Sequence, residues 1–209
     1  MKLAHLRPLR ALRRSGRWRP AQVCLLVKIT AVALAFGPLA LEREMFAQEK
    51  ATSEYQIKAA FLFHFSQFVV WPPDAFKDAT SLTYCTVGED PFDGELERAL
   101  NGKSIGARAL RVQHVQEARE LPGCQVLFLG IAEKKRLAAV LESVKSSPVL
   151  TVGDSEHFAE QGGMIGFCQE ENKIRFEINL GAAARANLKI SANLLSLAKT
   201  VLGHADGVA

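Results

Sequence analysis

Acidic side chains and a histidine lie together in the segment GDSEHFAEQGG, where Asp154, Glu156, His157 and Glu160 fall close along the chain. Carboxylates beside an imidazole can exchange protons or activate water, so this segment is the best candidate for an active site. It follows a predicted strand, and ligand sites in open α/β sheets lie at the carboxyl ends of strands. The alternative, which we favour, is a solvent-exposed acidic loop whose paired glycines turn the chain.

The sequence motifs of nucleotide, metal and nucleophile sites are absent. The segment after the first predicted strand, VGEDPFDGEL, lacks a glycine-rich phosphate loop, and its acidic residues would repel phosphate. His64, His114, His157 and His204 stand singly, and no G-x-S-x-G motif occurs. We therefore predict a non-enzymatic protein without a cofactor or a metal. A hydrolase built on the acidic segment is a weaker alternative.

Basic residues are concentrated at the N-terminus. Residues 1–47 hold nine basic and two acidic residues, a net charge of +7, whereas residues 48–209 hold 17 and 20, a net charge of −3. The second part therefore lacks the basic excess that nucleic acid binding requires.

The N-terminal part has the pattern of an export signal. An arginine-rich region precedes the apolar run ITAVALAFGPLA at residues 29–40. A membrane span needs about twenty apolar residues, so this shorter run is typical of a signal peptide. We predict a signal peptide over residues 1–47, with an uncleaved anchor as the alternative, and one exported domain over residues 48–209.

Three cysteines, Cys85, Cys124 and Cys168, lie in the predicted mature chain. Thiols of exported proteins tend to pair. Cys85 lies in the strand-like run LTYCTVG and Cys124 precedes the strand-like run QVLFLG, so neighbouring strands would bring them within bonding reach. We predict a disulfide between these two, with two buried thiols as the alternative, and an unpaired Cys168.

The segment AAFLFHFSQFVVWPP belongs to a predicted helix over residues 54–70, which the paired prolines follow. The helix is apolar nearly all round, which is typical of a buried or interface helix. Its polar residues, among them Lys58 and Gln67, would each need a partner in lipid, so we predict no membrane span here.

Strand-like and helix-like segments alternate from residue 82 to residue 154. This rhythm predicts an α/β fold, a single-domain Rossmann-like open sheet flanked by helices. Two further strands, in GGMIGFCQEENKIRFEINL, predict a C-terminal β-hairpin. The last segment, SANLLSLAKTVL, predicts a closing helix.

A family resemblance runs from about Glu54 to Leu202. Its segments are EYQIKAAFLFHFSQFVVWP, YCTVGEDPF, LNGKSIGARALRV, LPGCQVLFLG, SPVLTVGDSEHFAEQGGMIGF and IRFEINLGAAARANLKISANLLSLAKTV. In these the sequence resembles the YfiR family of periplasmic proteins. The resemblance implies a repressor that binds the periplasmic part of a membrane-bound diguanylate cyclase and lowers cyclic di-GMP output. It also implies an outer-membrane lipoprotein that sequesters the repressor.

The resemblance bears on the cysteines as well. It implies a disulfide at the positions of Cys85 and Cys124, in agreement with the pairing above. A second family pair would use Cys168, but its partner is missing, because the following strand has Ile174 and Arg175 and no cysteine. Redox sensing through a second bridge is therefore not expected.

Two sets of residues are candidates for the partner interface. Aromatic anchors dominate many interfaces, which favours Phe68 and Trp71 at the end of the first helix. The second set is the polar row Arg175, Glu177 and Asn179, for which internal ion pairs on an edge strand are the alternative. A homodimer is a further candidate assembly, and the sequence leaves the oligomeric state open. The alternative function is a small-ligand-binding component of a periplasmic sensing or transport system.

Overall fold

The computed structural model describes residues 54–76 and 80–203. The helices are α1 (residues 54–67), α2 (Glu95–Leu100), α3 (Leu137–Val144), α4 (Leu180–Arg185) and α5 (Ala192–Leu195). The strands are β1 (Val69–Val70), β2 (Ser81–Val87), β3 (Ser104–Ile105), β4 (Arg108–Val115), β5 (Val126–Leu129), β6 (Leu150–Gly153), β7 (Ile165–Glu170), β8 (Lys173–Asn179), β9 (Lys189–Ile190) and β10 (Thr200–Leu202). The predicted signal peptide lies outside the described residues. Within those residues, every helix is too short or too polar to cross a membrane.

An eight-stranded sheet organises the described part of the chain, in the order β10-β8-β7-β6-β5-β2-β4-β3. Strands β4, β2, β5, β6 and β7 run parallel to one another in that order, and β7 and β8 form an antiparallel hairpin. The order β4-β2-β5-β6-β7 is the 2-1-3-4-5 order of doubly wound sheets. The predicted α/β fold, with its open sheet and hairpin, is confirmed.

The sheet separates two hydrophobic cores. Successive side chains of a strand point to opposite faces, so Leu82 and Tyr84 of β2 enter one core, whereas Cys85 and Val87 enter the other. Helices α1, α2, α4 and α5 pack on the first face, and α3 packs on the second. The architecture is therefore three-layered, with α1 lying on the first face of the sheet.

Helix α1 buries one face completely. Ala59, Leu62 and Phe65 have no exposed surface, and their spacing of three residues places them on one side of the helix. The helix ends at residue 67, three residues before the predicted end. The reason is that β1, made of two β-branched valines, pairs antiparallel with β9.

The C-terminal helix is shorter than predicted. Ser191 caps α5 by accepting a hydrogen bond from the Leu194 amide at 3.4 Å, but α5 ends at Leu195. The chain then forms β10, which pairs parallel with β8 from Thr200↔Glu177 to Leu202↔Asn179. Strand β8 is consequently an interior strand, which corrects its interpretation as an edge strand.

A disulfide joins Cys85 in β2 to Cys124 just before β5, with the Cα atoms 5.9 Å apart. This is the pairing that the sequence predicts. It is buried beside α3 in the second core, and Cys168 is unpaired. The bridge ties two adjacent strands of the parallel sheet across 39 residues of sequence.

Candidate functional site

A pocket of about 540 Å³ lies beyond the carboxyl ends of β5 and β6. The start of α1 contributes Glu54 and Lys58, and the loop after β6 contributes Asp154. Strands β7 and β8 continue past the end of β6 and form another wall. The remaining lining residues are Ile131, Glu156, His157, Phe158, Gly166, Phe167, Cys168, Gln169, Ile174 and Glu177. The pocket is therefore at the end of the sheet where open α/β folds bind ligands.

A buried ionic cluster forms one side of this pocket. Lys58 Nζ lies 2.6 Å from Asp154 Oδ2 and 2.6 Å from Glu54 Oε1. The Lys58 side chain is 6% exposed and that of Asp154 is 4% exposed. Tyr55 donates a hydrogen bond to the same Oδ2 atom at 2.9 Å, and its ring lies 4.4 Å from Lys58 Nζ. The cluster therefore fastens the start of α1 to the loop after β6.

The phenol of Tyr55 is held in its neutral form. Burial, followed by the negative charge and hydrogen bond of Asp154, raises the pKa of Tyr55 well above its ordinary value. Tyr55 is consequently a permanent hydrogen-bond donor to Asp154 over the physiological range. Lys58 and Tyr55 both approach Oδ2, and Asp154 Oδ1 is buried with no hydrogen-bond partner among the described residues.

The pocket as a whole is acidic. Four carboxylates line it, from Glu54, Asp154, Glu156 and Glu177, against the single ammonium group of Lys58 and the imidazole of His157. Phe158, Phe167 and two isoleucines supply apolar wall. This lining favours a small solute that combines a cationic or donor group with an apolar body.

The structure divides the acidic segment that the sequence singles out. Asp154 is buried in the ionic cluster, whereas His157 and Glu160 are mostly exposed, with His157 Nδ1 3.2 Å from Glu160 Oε2. Glu156 lines the pocket. The favoured interpretation, a solvent-exposed acidic loop, fits the exposed members and is wrong for Asp154, whose partner Lys58 lies 96 residues earlier. For Asp154 to act as a general acid or base, its ion pair with Lys58 would first have to break.

The paired glycines of this segment serve packing as well as a turn. Gly162 adopts φ +102°, a left-handed conformation that favours glycine. Gly163 and Gly153 both face the ring of buried Phe158, and neither site has room for a Cβ atom. The segment is thus built around Phe158, which the sequence analysis did not identify.

The aromatic interface candidates lie at the end of α1. Phe68 and Trp71 are half-buried against the first core, and the Trp71 ring meets Phe76 edge to face at 6.0 Å. The Trp71 Nε1 atom is buried without a hydrogen-bond partner among the described residues. Between the two aromatic residues, Val70 is 62% exposed. This end of α1 therefore presents an apolar surface, which we call the 68–71 surface.

The polar row of β8 has three separate roles. Arg175 is exposed, with its Nε atom 3.8 Å from Glu170 Oε2. Glu177 lines the pocket. Asn179 accepts a hydrogen bond from the Ala182 amide at 2.9 Å, which caps α4, and donates one to the Ala159 carbonyl at 2.7 Å. Asn179 thus has a structural role inside the fold, whereas the exposed side chain of Arg175 can still contact a partner.

Sequence analysis missed Glu54, Tyr55 and Lys58 as members of the site. The one signal was a lysine and a tyrosine in a helix that is apolar nearly all round, which indicates buried polar groups that need partners. Their partner Asp154 is distant in sequence, so spacing alone could not connect them.

Comparison with known proteins gives a family and two distant structural likenesses. A family model described as YfiR/HmsC-like matches residues 55–199. A conserved domain protein from Vibrio cholerae superposes with a TM-score of 0.43 at 10% identity over 57% of this chain and 54% of that chain. The ABC domain in complex with L-Trp from Streptococcus pneumonia superposes with a TM-score of 0.45 at 13% identity over 62% and 57%. The chain spans little more than half the length of either structure.

Proposed function

The chain belongs to the YfiR/HmsC-like family, and we propose that it is a non-enzymatic periplasmic protein that represses a membrane-bound diguanylate cyclase. The observation that carries the proposal is the family match, which covers residues 55–199. Family membership supports a periplasmic regulator that binds a membrane signalling partner. The finer elements, namely the cyclase, the lowering of cyclic di-GMP and sequestration by an outer-membrane lipoprotein, belong to this proposal.

We place the partner contact on the 68–71 surface. Val70 is 62% exposed beside two half-buried aromatic side chains, an arrangement in which a partner can cover apolar surface around an anchor. The buried Trp71 Nε1 atom supplies a donor that a shift of the indole ring would offer to a partner carbonyl. The exposed Arg175 on β8 is a separate candidate for a partner contact.

The first experiment identifies the partner. The protein is tagged after Ala209, the envelope of the native cell is crosslinked, and captured membrane proteins are identified by mass spectrometry. Recovery of a membrane protein with a cytoplasmic diguanylate cyclase domain supports the proposal, and deletion of this protein should then raise cyclic di-GMP. Recovery of a transporter, receptor or sensor kinase alone, with unchanged cyclic di-GMP, contradicts it.

A second experiment tests the surface. Trp71→Ala and Val70→Asp should weaken binding to the purified periplasmic domain of the captured partner, for Trp71→Ala by about 2 kcal/mol, or roughly thirtyfold in Kd. Ile57→Asp is the matched control, since Ile57 is also an exposed apolar residue, 46% exposed, at the other end of α1. Equal weakening by all three variants would argue against the 68–71 surface.

A second candidate function rests on the pocket. Its volume of about 540 Å³, its acidic lining and the unpartnered Asp154 Oδ1 atom favour binding of a small ammonium-bearing solute. The test is thermal stability in the presence of amino acids and diamines without any protein partner. A rise in Tm that Glu177→Gln abolishes would support a ligand-binding role, and an unchanged Tm across the panel would remove it.

A further inference from the structure

Three metal-ligating side chains converge at the carboxyl ends of β2 and β4, away from the residues that line the pocket. Asp90 follows β2, Glu97 lies on α2, and His114 is the last but one residue of β4. One ligand atom from each lies within 4.8 Å of the other two. The sequence shows these residues as isolated, and the β2-α2-β4 crossover brings them together.

The orientation of His114 is set by a buried hydroxyl. Thr86, the residue beside His114 in the parallel register, is fully buried, and its Oγ1 atom lies 2.7 Å from His114 Nδ1. His114 Nε2 lies at hydrogen-bonding distance, 3.0 Å, from Glu97 Oε1, so a metal ion would take the place of the proton that these two groups share. With an ion on Nε2, Nδ1–H would donate to the Thr86 hydroxyl. Metal-bound histidines are typically held this way, with the second ring nitrogen donating to an outer group.

The two carboxylates have coordination capacity left. Asp90 Oδ1 accepts a hydrogen bond from the Phe92 amide at 3.0 Å, which fixes the carboxylate and leaves its other oxygen for a ligand. Glu97 is 44% exposed and His114 is 42% exposed, so a hydrated ion can reach the group. Two carboxylates this close repel one another, and a divalent cation bound between them would offset that repulsion.

We propose that Asp90, Glu97 and His114 form a divalent transition-metal site for Zn²⁺. One imidazole nitrogen and two carboxylate oxygens match the ligands of Zn²⁺, with a further position for water. A bound ion would join the loop after β2, helix α2 and the end of β4, so metal should stabilise the fold. This inference is independent of the proposed repressor function.

The test measures Zn²⁺ binding to the purified protein without a polyhistidine tag, by calorimetry and by thermal unfolding. We expect a single equivalent to bind with a rise in Tm. Glu97→Gln and His114→Gln each remove a proposed ligand and should each weaken binding by at least about tenfold, the lower range for loss of a ligand's outer partner. His157→Gln is the matched control, because His157 also lies beside a glutamate on the surface, and it should bind as the wild type does.

Co²⁺ supplies a spectroscopic check. Its visible absorption bands should show nitrogen and oxygen ligands in the wild type and in His157→Gln, and should be lost in His114→Gln. Circular dichroism confirms that the surface variants are folded. The proposal is overturned if the wild type binds no Zn²⁺ at millimolar metal, or if both Glu97→Gln and His114→Gln retain wild-type affinity.

Discussion

Lys58 Nζ lies 2.6 Å from Asp154 Oδ2, and both side chains are more than nine-tenths buried. The pair joins the first helix of the described domain to the loop after β6, at the edge of the pocket. Both groups are needed, because a buried charge without its partner is strongly destabilising. The ion pair therefore stabilises the fold where the start of α1 meets the loop after β6.

Lys58→Met should destabilise the protein by about 3–5 kcal/mol, since Asp154 would remain buried as an uncompensated charge. The measurement is urea unfolding at neutral pH. The double variant Lys58→Met with Asp154→Leu should recover most of the loss, because it removes the buried charge. Lys145→Ala is the control, since its pair with Glu142 is exposed and worth little. A loss in Lys58→Met no larger than in Lys145→Ala would contradict the prediction.

Stability should fall as the pH rises above 10. Burial raises the pKa of Tyr84 to about 12, against an opposing contribution from its hydrogen bond with Ser66. The neutral phenol is therefore favoured by the folded state, so the stabilisation is complete below pH 10, the ordinary value, and is lost between pH 10 and 12. The pKa of Tyr55 is raised further, so its contribution to the free energy of unfolding is lost over a wider pH range.

The measurement is the free energy of unfolding against pH, made in a Cys168→Ser background because burial also raises the pKa of that thiol. Each such tyrosine contributes a slope of up to about 1.4 kcal/mol per pH unit. Tyr84→Phe should reduce the slope above pH 10. An unchanged slope in this variant would show that Tyr84 does not titrate differently in the folded and unfolded states.

The disulfide between Cys85 and Cys124 should stabilise the fold by about 4 kcal/mol, because it closes a long loop in the unfolded chain. The double variant Cys85→Ser with Cys124→Ser should lose this stability in guanidinium unfolding. Cys168→Ser should change little, since this cysteine is unpaired. Equal stability of the wild type under oxidising and reducing conditions would argue against the bridge.

Asn179→Ala should destabilise the protein by about 1–3 kcal/mol, since it removes the α4 cap and the hydrogen bond to Ala159. Arg175→Ala, which changes an exposed side chain of the same strand, should alter unfolding little. Thermal unfolding of both variants separates a structural residue from a surface one. Similar losses in the two variants would show that the cap is not the dominant role of Asn179.

The apolar pattern of the chain is sufficient to predict the fold class, because period-two and helical patterns indicate which faces must be buried. The alternation after residue 80 predicted the open sheet, and QEENK predicted the hairpin turn between β7 and β8. The pairing of Cys85 with Cys124 also followed from strand-like neighbours. The end of α1 and the length of α5 did not follow, since strand pairing with β9 and β8 overrides local helical preference.

Which polar residues act together depends on how the chain folds in three dimensions. Lys58 meets Asp154 across 96 positions, and His114 meets Glu97 across 17. These pairs arise because parallel strands bring their carboxyl ends to one edge of the sheet, where the start of α1 and helix α2 also lie. The spacing of residues along the sequence does not indicate which distant residues come into contact. The fold class can therefore be predicted from the sequence, whereas the residues that make up each site become apparent only from the tertiary structure.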